Sequence, residues 1–365
     1  MDSPSLTIDL DKIEHNARHI VGLCQGHGIE VTGVTKVTCG HPGVARAMLS
    51  GGVTGIADSR LENIRRLRDA GIRDSLMLLR IPPLSRIEEV VELVDTSLNS
   101  ELSVLAGLSA AARRLGRVHD VILMVDLGDL REGVLPQDLV PLTEQAVKLP
   151  GIRIRGLGSN LACFAGVVPG EENMGRLVAL GSEIEQRFGL ELEWLSGINS
   201  SGLELISTGR MPERVNHARI GEAIVLGRET TQHRPWPGTW QDAFILYAEV
   251  LELKRKPSMP QGERGEDAFG RRPRFEDRGE MLRVLLNVGR EDVDVSGITP
   301  LDRRLTVLGA SSGYLVVDAT PAEGDIQVGD TLTFSLNYSA LLTAMTSEYV
   351  SKHVLEKSAS AAGEG

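Results

Sequence analysis

Lys36 stands near the end of Glu30-Val31-Thr32-Gly33-Val34-Thr35-Lys36-Val37, the first strongly β-type run of the chain, and the breakers Cys39-Gly40-His41-Pro42 follow at once. An amine at the end of a buried strand is costly unless it is neutralised, paired or covalently occupied, because burial penalises the ammonium. Lys36 is therefore a candidate Schiff-base lysine, against the plain alternative of an amine that snorkels to solvent. Further polar groups follow later apolar runs: Asp126-Leu127-Gly128-Asp129-Leu130-Arg131, Ser159-Asn160, Asn199-Ser200-Ser201 and Arg219-Ile220-Gly221-Glu222. Asn199-Ser200-Ser201-Gly202 and the Gly221 turn can present hydroxyls and free N–H groups to an anion at the start of a helix. Taken singly, the first is an ordinary helix cap and Arg219 an ordinary surface ion-pair arginine.

What gives these residues joint meaning is the set of elements that would carry them. Runs rich in Val, Ile and Leu at 31–37, 52–58, 75–81, 96–99, 120–127, 152–158, 192–198 and 215–226 read as eight strands. Between them, segments such as 60–70 and 171–188 place apolar residues at i, i+3, i+4 and i+7 among charges, the pattern of amphipathic helices. Eight alternating β/α units predict an α/β chain with a (β/α)8 TIM barrel over residues 1–229, and no GxGxxG follows an early strand to favour an open doubly wound sheet. In such a barrel all strands end at one mouth, so the polar residues above converge. A buried lysine, an anion cup and an arginine at one mouth fit pyridoxal 5'-phosphate. Arg219 bears on the chemistry: guanidinium only donates, so a pyridine nitrogen facing it stays unprotonated. The ring is then a weaker electron sink, which favours proton return at Cα over transamination.

Beyond residue 230 the texture changes. Apolar runs at 244–253, 281–289, 305–308, 314–318 and 331–336 predict a smaller C-terminal β-rich domain over 230–357, closed by a helix at 339–355. The stretch 254–279, crowded with Arg, Glu, Gly and Pro, reads as a solvated loop or one that orders against a partner subunit or the active site. Residues 358–365 read as a disordered tail.

Composition narrows the partners. A net charge of -11 and a pI near 5.3 argue against nucleic acid or an anionic membrane and favour a small-molecule ligand. Three scattered cysteines, Cys24, Cys39 and Cys163, without CxxC, indicate neither a disulfide framework nor a cysteine zinc site, and point to a reduced, cytoplasmic protein. No basic-then-apolar leader and no apolar run of membrane-spanning length is present. The eight histidines include one HxxxH, His15 to His19, but no His-x-Cys-Asp signature accompanies it, so no metal site is indicated.

Together, Ile8-Asp9-Leu10-Asp11-Lys12-Ile13-Glu14-His15-Asn16, the Lys36 strand, Asp126-x-Gly128-x-x-Arg131-x-Gly133, Asn199-Ser200 and Arg219-x-Gly221 resemble the fold-type III pyridoxal phosphate enzymes of the alanine racemase family. Gly309-Ala310-Ser311-Ser312, Phe269-Gly270, Asn287 to Asp294 and Cys163-Phe164 resemble its ornithine racemase branch more than true alanine racemases. The resemblance implies that Lys36 carries the cofactor and that Asn199, Ser200 and the backbone of Gly221 and Glu222 hold its phosphate, with Tyr338 capping it. It puts Arg219 against the pyridine nitrogen and Arg131 against the substrate carboxylate or the cofactor phenolate. It also implies a head-to-tail homodimer with composite active sites.

Several positions depart from the family pattern. Phe269 stands where alanine racemases have a tyrosine base, Ser311-Ser312 where a Met-Asp pair lines the substrate pocket, and Asn160 where a histidine stacks on the cofactor. Gly313-Tyr314 replaces an Asp-His of the ornithine branch. A second acid/base is sought among Cys163, Ser312 and Tyr314, with Cys163 first because a thiol is the strongest acid of the three. His41 reads as a loop filler or a cofactor contact. The favoured reading is an amino-acid racemase that takes and returns the α-proton of a small amino-acid substrate. The alternatives are a lyase or decarboxylase acting on a D-amino acid, and a non-catalytic cofactor carrier.

Overall fold

The computed structural model describes residues 3–355, so the expected tail at 358–365 lies outside the described residues. The chain forms two compact units. One is the continuous stretch Leu10–Gln241; the other combines the chain before residue 10 with the chain from Asp242 onward. The expected division at 229/230 therefore falls at 241/242, and the strand β1 (Ser5–Ile8) belongs to the second unit.

In the first unit, β2 (Glu30–Val34), β3 (Gly55–Asp58), β4 (Ser75–Leu78), β5 (Thr96–Asn99), β6 (His119–Met124), β7 (Ile152–Gly158), β8 (Trp194–Ile198) and β9 (His217–Ile220) close into a parallel barrel. Each strand candidate overlaps one of them, with β2 and β6 starting one residue earlier than expected. The interior is filled by Val34, Ala57, Met77, Leu98, Ile122, Met124 and Trp194, drawn from six of the eight strands, so the barrel is a packed core with its chemistry at the rim. Helices α1 (Leu10–Gln25), α2 (Pro42–Ser50), α3 (Leu61–Asp69), α4 (Ile87–Leu93), α5 (Leu102–Arg114), α6 (Leu139–Ala146), α7 (Glu171–Phe188), α8 (Leu203–Ser207) and α9 (Glu222–Val225) alternate with the strands. In α7 the buried Met174, Leu177, Gly181 and Ile184 form one face, and a Cβ at Gly181 would meet Leu195 Cδ2 at 2.9 Å, so the glycine lets the helix lie close to β8. A Cβ at Gly156 would come within 2.4 Å of Trp194 O, which keeps β7 bare where it abuts β8.

Two strand boundaries differ from expectation. β2 stops at Val34, and Lys36 opens a single 3-10 turn, Lys36–Thr38. The apolar run 215–226 is the strand β9, the Gly221 turn and α9, because Ala223–Leu226 stays buried while the backbone changes direction.

The second unit is a mixed sheet with strand order β12 (Ile298–Pro300), β15 (Thr331–Leu336), β10 (Phe244–Pro257), β11 (Glu280–Leu286), β14 (Leu315–Asp318), β13 (Thr306–Ala310). β1 pairs antiparallel with β10 and parallel with β16 (Ser351–Val354). The closing helix α10 (Tyr338–Thr346) is shorter than the expected 339–355, since its last residues form β16. Between β10 and β11 the chain makes its own turn: Asp267 Oδ1 accepts from Phe269 N and Arg271 N, both at 2.9 Å, and the Arg290 guanidinium lies 4.6 Å from the Phe269 ring centroid. Among the described residues no helix is long and apolar enough to cross a membrane.

Candidate active site

The turn that carries Lys36 is braced from β3. Thr35 Oγ1 donates to Asp58 Oδ2 at 2.9 Å, and Asp58 Oδ1 accepts from Arg60 N at 3.0 Å and from Asn63 Nδ2 at 2.9 Å. Burial pushes the Asp58 carboxyl up, and these hydrogen bonds pull it partly back. A Cβ at Gly40 would meet Asn63 Cβ at 2.7 Å, so the chain leaves the turn through a gap that only glycine fits. His41 caps α2, its Nδ1 accepting from Val44 N at 3.4 Å. Lys36 itself is half-buried.

Arg219 lies on β9 beside Thr32 of the neighbouring β2 and is 4 % exposed. Its Nη1 donates to Ser196 O at 2.7 Å and to Ser196 Oγ, and its Nη2 donates to Ser159 O at 2.8 Å. Burial lowers its pKa to about 10, still far above neutrality, so it remains a cation. Three of the five N–H bonds of a guanidinium are thus fixed, and those left, on Nη2 and Nε, meet no partner among the described residues. The Ser159 hydroxyl is likewise buried without a partner.

The turn after β8 is tied across the mouth. Asn199 Oδ1 accepts from Ser201 N at 2.8 Å and Ser201 Oγ at 2.7 Å, while its Nδ2 donates to Leu161 O at 2.8 Å and Asn160 Oδ1 at 3.3 Å. Ser200 is buried, and its Oγ accepts from Ala223 N at 3.1 Å, which leaves its own proton for another acceptor. Gly221 packs on β2, where a Cβ would stand 3.1 Å from Val34 Cβ. Glu222 adds something the sequence did not advertise: its carboxyl is buried and lies 3.3 Å from His233 Nδ1. Burial raises its pKa, opposed by the hydrogen bond and charge of His233 and by the charges of Arg228 and Lys36.

Arg131 and Cys163 meet directly, Arg131 Nη1 donating to Cys163 Sγ at 2.6 Å, and the guanidinium also pairs with Glu132. The Cys163 loop is built around Asp129, whose carboxylate accepts from Cys163 N at 3.3 Å, Phe164 N at 2.8 Å and Ala165 N at 3.2 Å. Burial pushes the Asp129 carboxyl up, but those N–H groups outweigh it and hold it below the usual range. Lys36, Arg131, Asn160, Cys163, Asn199, Ser200, Arg219, Gly221 and Glu222 therefore all follow or end barrel strands at the same rim.

The remaining candidates belong to the second unit. Ser311, Ser312 and Tyr314 form the turn between β13 and β14 and are exposed; Ser311 N donates to Tyr314 O at 2.9 Å, and Glu291 N to Ser312 O at 3.1 Å. Tyr338 opens α10 behind the Asn337 cap.

Sequence reasoning missed the buried polar residues beneath the rim. His217 and Ser196 occupy inward positions of β9 and β8, alternating with apolar neighbours, and the i, i+2 pair His217 and Arg219 was the signal that could have found them.

A closed eight-stranded β/α barrel with a separate β sheet and a cation-bearing rim defines the class of fold. Residues 8–229 match the family model "Alanine racemase, N-terminal domain". The chain is 43% identical over 353 residues to an ornithine racemase of Acetoanaerobium sticklandii, covering 96% of this chain and 99% of that one. It is 40% identical over 349 residues to a lysine racemase of Thermotoga maritima, covering 96% and 98%. The chain belongs to the alanine racemase family. The crystal structure of an alanine racemase from D-cycloserine-producing Streptomyces lavendulae shares its fold, with a TM-score of 0.74 at 20% identity over 97% of this chain and 98% of that one.

Proposed function

We propose that this protein is a pyridoxal 5'-phosphate-dependent amino-acid racemase. The observation that carries the reading is Arg219, a buried cation whose fixed bonds leave N–H donors for one more acceptor. The barrel donors fit the cofactor: Arg219 for the pyridine nitrogen, the free Ser200 proton with the Asn199 and Gly221 turns for the phosphate, and Lys36 for attachment; Tyr338 is assigned the phosphate cap on the family resemblance alone. When bound, the cofactor supplies a carbonyl that condenses with an amine and a conjugated ring that acidifies the α-hydrogen. Because Arg219 cannot give up its proton, it withholds protonation from the ring and so favours proton return at Cα.

Lys36 Nζ takes the α-proton from one face of one enantiomer while the second acid/base delivers a proton to the opposite face, and the two exchange roles for the other enantiomer. Cys163 is the first choice, with its sulfur held by Arg131, and Ser312 and Tyr314 follow. Arg131 and Ser311 bind the substrate. We extend the proposal to a homodimer in which the exposed turn at Ser311–Tyr314 completes the site of a neighbouring copy. Because both full-length relatives are named for amino acids with a distal amine, ornithine and lysine lead the substrate panel, followed by alanine.

The test is chiral analysis of L-amino acids incubated with the protein in deuterated water. Racemisation with deuterium at Cα is expected, and Lys36→Ala removes both it and the borohydride-reducible cofactor adduct. Loss of CO2 or release of an aldehyde instead would establish the decarboxylase or lyase reading. A bound cofactor with no turnover of any amino acid would favour the carrier.

A further inference from the structure

Beneath Arg219 lies a chain of side chains whose hydrogen-bond directions are ordered by the cation at its head. Ser196 Oγ contacts Arg219 Nη1 on one side and His217 Nδ1 at 2.6 Å on the other. Arginine has no lone pair to offer, so the hydroxyl oxygen accepts from Arg219. A hydroxyl that accepts from a cation is polarised into a better donor, and the imidazole lone pair, not an N–H, is favoured on the side of the Arg219 charge, so the Ser196 proton is placed on Nδ1. The ring proton therefore sits on Nε2 and is donated to Thr32 Oγ1 at 2.9 Å. A doubly protonated ring would set N–H against O–H at the 2.6 Å contact and undo the sequence of donors. The ring cannot turn to escape: it is fully buried and lies stacked on Trp194, centroids 4.1 Å apart at 17°, and the same indole carries the Arg155 guanidinium at 3.5 Å. The charged groups facing it are Arg219 and Arg155, and burial together with those two cations pushes its pKa well down.

We infer that His217, fixed as the neutral Nε2–H tautomer, is a positioning residue that aims Arg219 through the Ser196 hydroxyl. The inference rests on the reading of Arg219 as the donor beneath the cofactor ring. Its structural content stands on the protein alone. The carbonyls of Ser196 and Ser159 hold the guanidinium whether or not His217 is present. What His217 adds is the orientation of the hydroxyl: without an acceptor at Nδ1 the Ser196 proton can swing towards Nη1 and push the guanidinium off its line.

The first test uses the cofactor-free protein. Nitrogen NMR should show His217 protonated at Nε2, bare at Nδ1 and unchanged between pH 5 and 8, with the Arg219 Nη protons separately resolved because the group does not rotate. In His217→Phe, which keeps a ring against Trp194 but has no acceptor, the Nη signals should merge; His217→Gln, whose carbonyl can accept, should keep them apart. Ser196→Ala removes the same link from the other side and replaces His217→Phe should that variant fail to fold. The second test loads the cofactor and reads the ratio of half-transamination to racemisation, which should rise about tenfold in His217→Phe and Ser196→Ala and stay near wild type in His217→Gln. A proton on Nδ1, a ring that titrates near pH 6.5, or resolved Nη signals in both disrupting variants would overturn the inference. If the wild-type protein racemises nothing, the proposed function fails, and the cofactor-free signals still decide whether His217 positions Arg219.

Discussion

At Cys163 two interactions meet that separate it from a cysteine merely filling space. Its sulfur accepts from Arg131, and its backbone N–H is anchored on Asp129. Cys24, by contrast, sits on the buried face of α1, and burial pushes its thiol up to about 12, which removes it from proton transfer near neutrality. If Cys163 is the second base, each hand of substrate meets a different residue, so removing it must act directionally. In Cys163→Ala, deuterium wash-in should fall at least about tenfold more for one enantiomer than for the other; Ser312→Ala and Tyr314→Phe are the parallel trials. Equal losses from both enantiomers in all three would remove these candidates. Lys36, Arg131 and Arg219 were legible in the sequence because charged residues directly after or at the end of apolar runs are conspicuous. His217 and Ser196 were not, since a polar residue inside a barrel becomes visible only when its partners on neighbouring strands are known.

Among the elements, the segments after β6 and β7 depend on one carboxylate. Asp129 gathers three consecutive N–H groups, and Leu130 and Ala162 hold positive φ angles of 53° and 52°, a conformation that non-glycine residues adopt only when their surroundings enforce it. Asp129→Ala should release the Cys163 loop, costing about 1–3 kcal/mol locally. We expect faster proteolysis between residues 162 and 168, measured against an unchanged cleavage rate elsewhere. Asp129→Asn, which keeps a carbonyl oxygen, should lose less. An Asp129→Ala loop as resistant as wild type would show that the carboxylate does not hold it. Apolar runs located all eight barrel strands because strands covered on both faces are near-continuous in Val, Ile and Leu. The same rule misplaced the end of β9, where buried Ala223, Ile224 and Val225 extend the run into α9. β1 escaped because four residues carry too little periodicity to stand out.

For the whole molecule, the buried imidazole of His119 sets an acid limit. Burial lowers its pKa to about 4, against 6.5 for the exposed group, opposed by the charges of Asp120 and Asp95. Below pH 6.5 the unfolded chain binds a proton that the folded chain refuses, so stability falls as pH drops. The loss continues down to about pH 4 at about 1.4 kcal/mol per pH unit, on the order of 3 kcal/mol in all. His217 acts in the same direction. His119→Gln should flatten the fall in urea midpoint between pH 7 and 4.5 relative to wild type; parallel curves for the two proteins would contradict this assignment.

The pairing of β1 with both β10 and β16 has a consequence for how the chain is made. Ser5 faces Tyr247 on one side and Ser351 on the other, so β1 waits during synthesis for partners about 240 and about 350 residues further along the chain. β10 follows the barrel segment at once, whereas β16 comes about 110 residues after that segment ends. A nascent chain stalled once the barrel has emerged, but before β16, should thus hold a folded barrel and a second sheet in which one side of β1 is still unpaired. An unpaired apolar edge persisting for that interval is a place where a chaperone, or a neighbouring nascent chain, can bind.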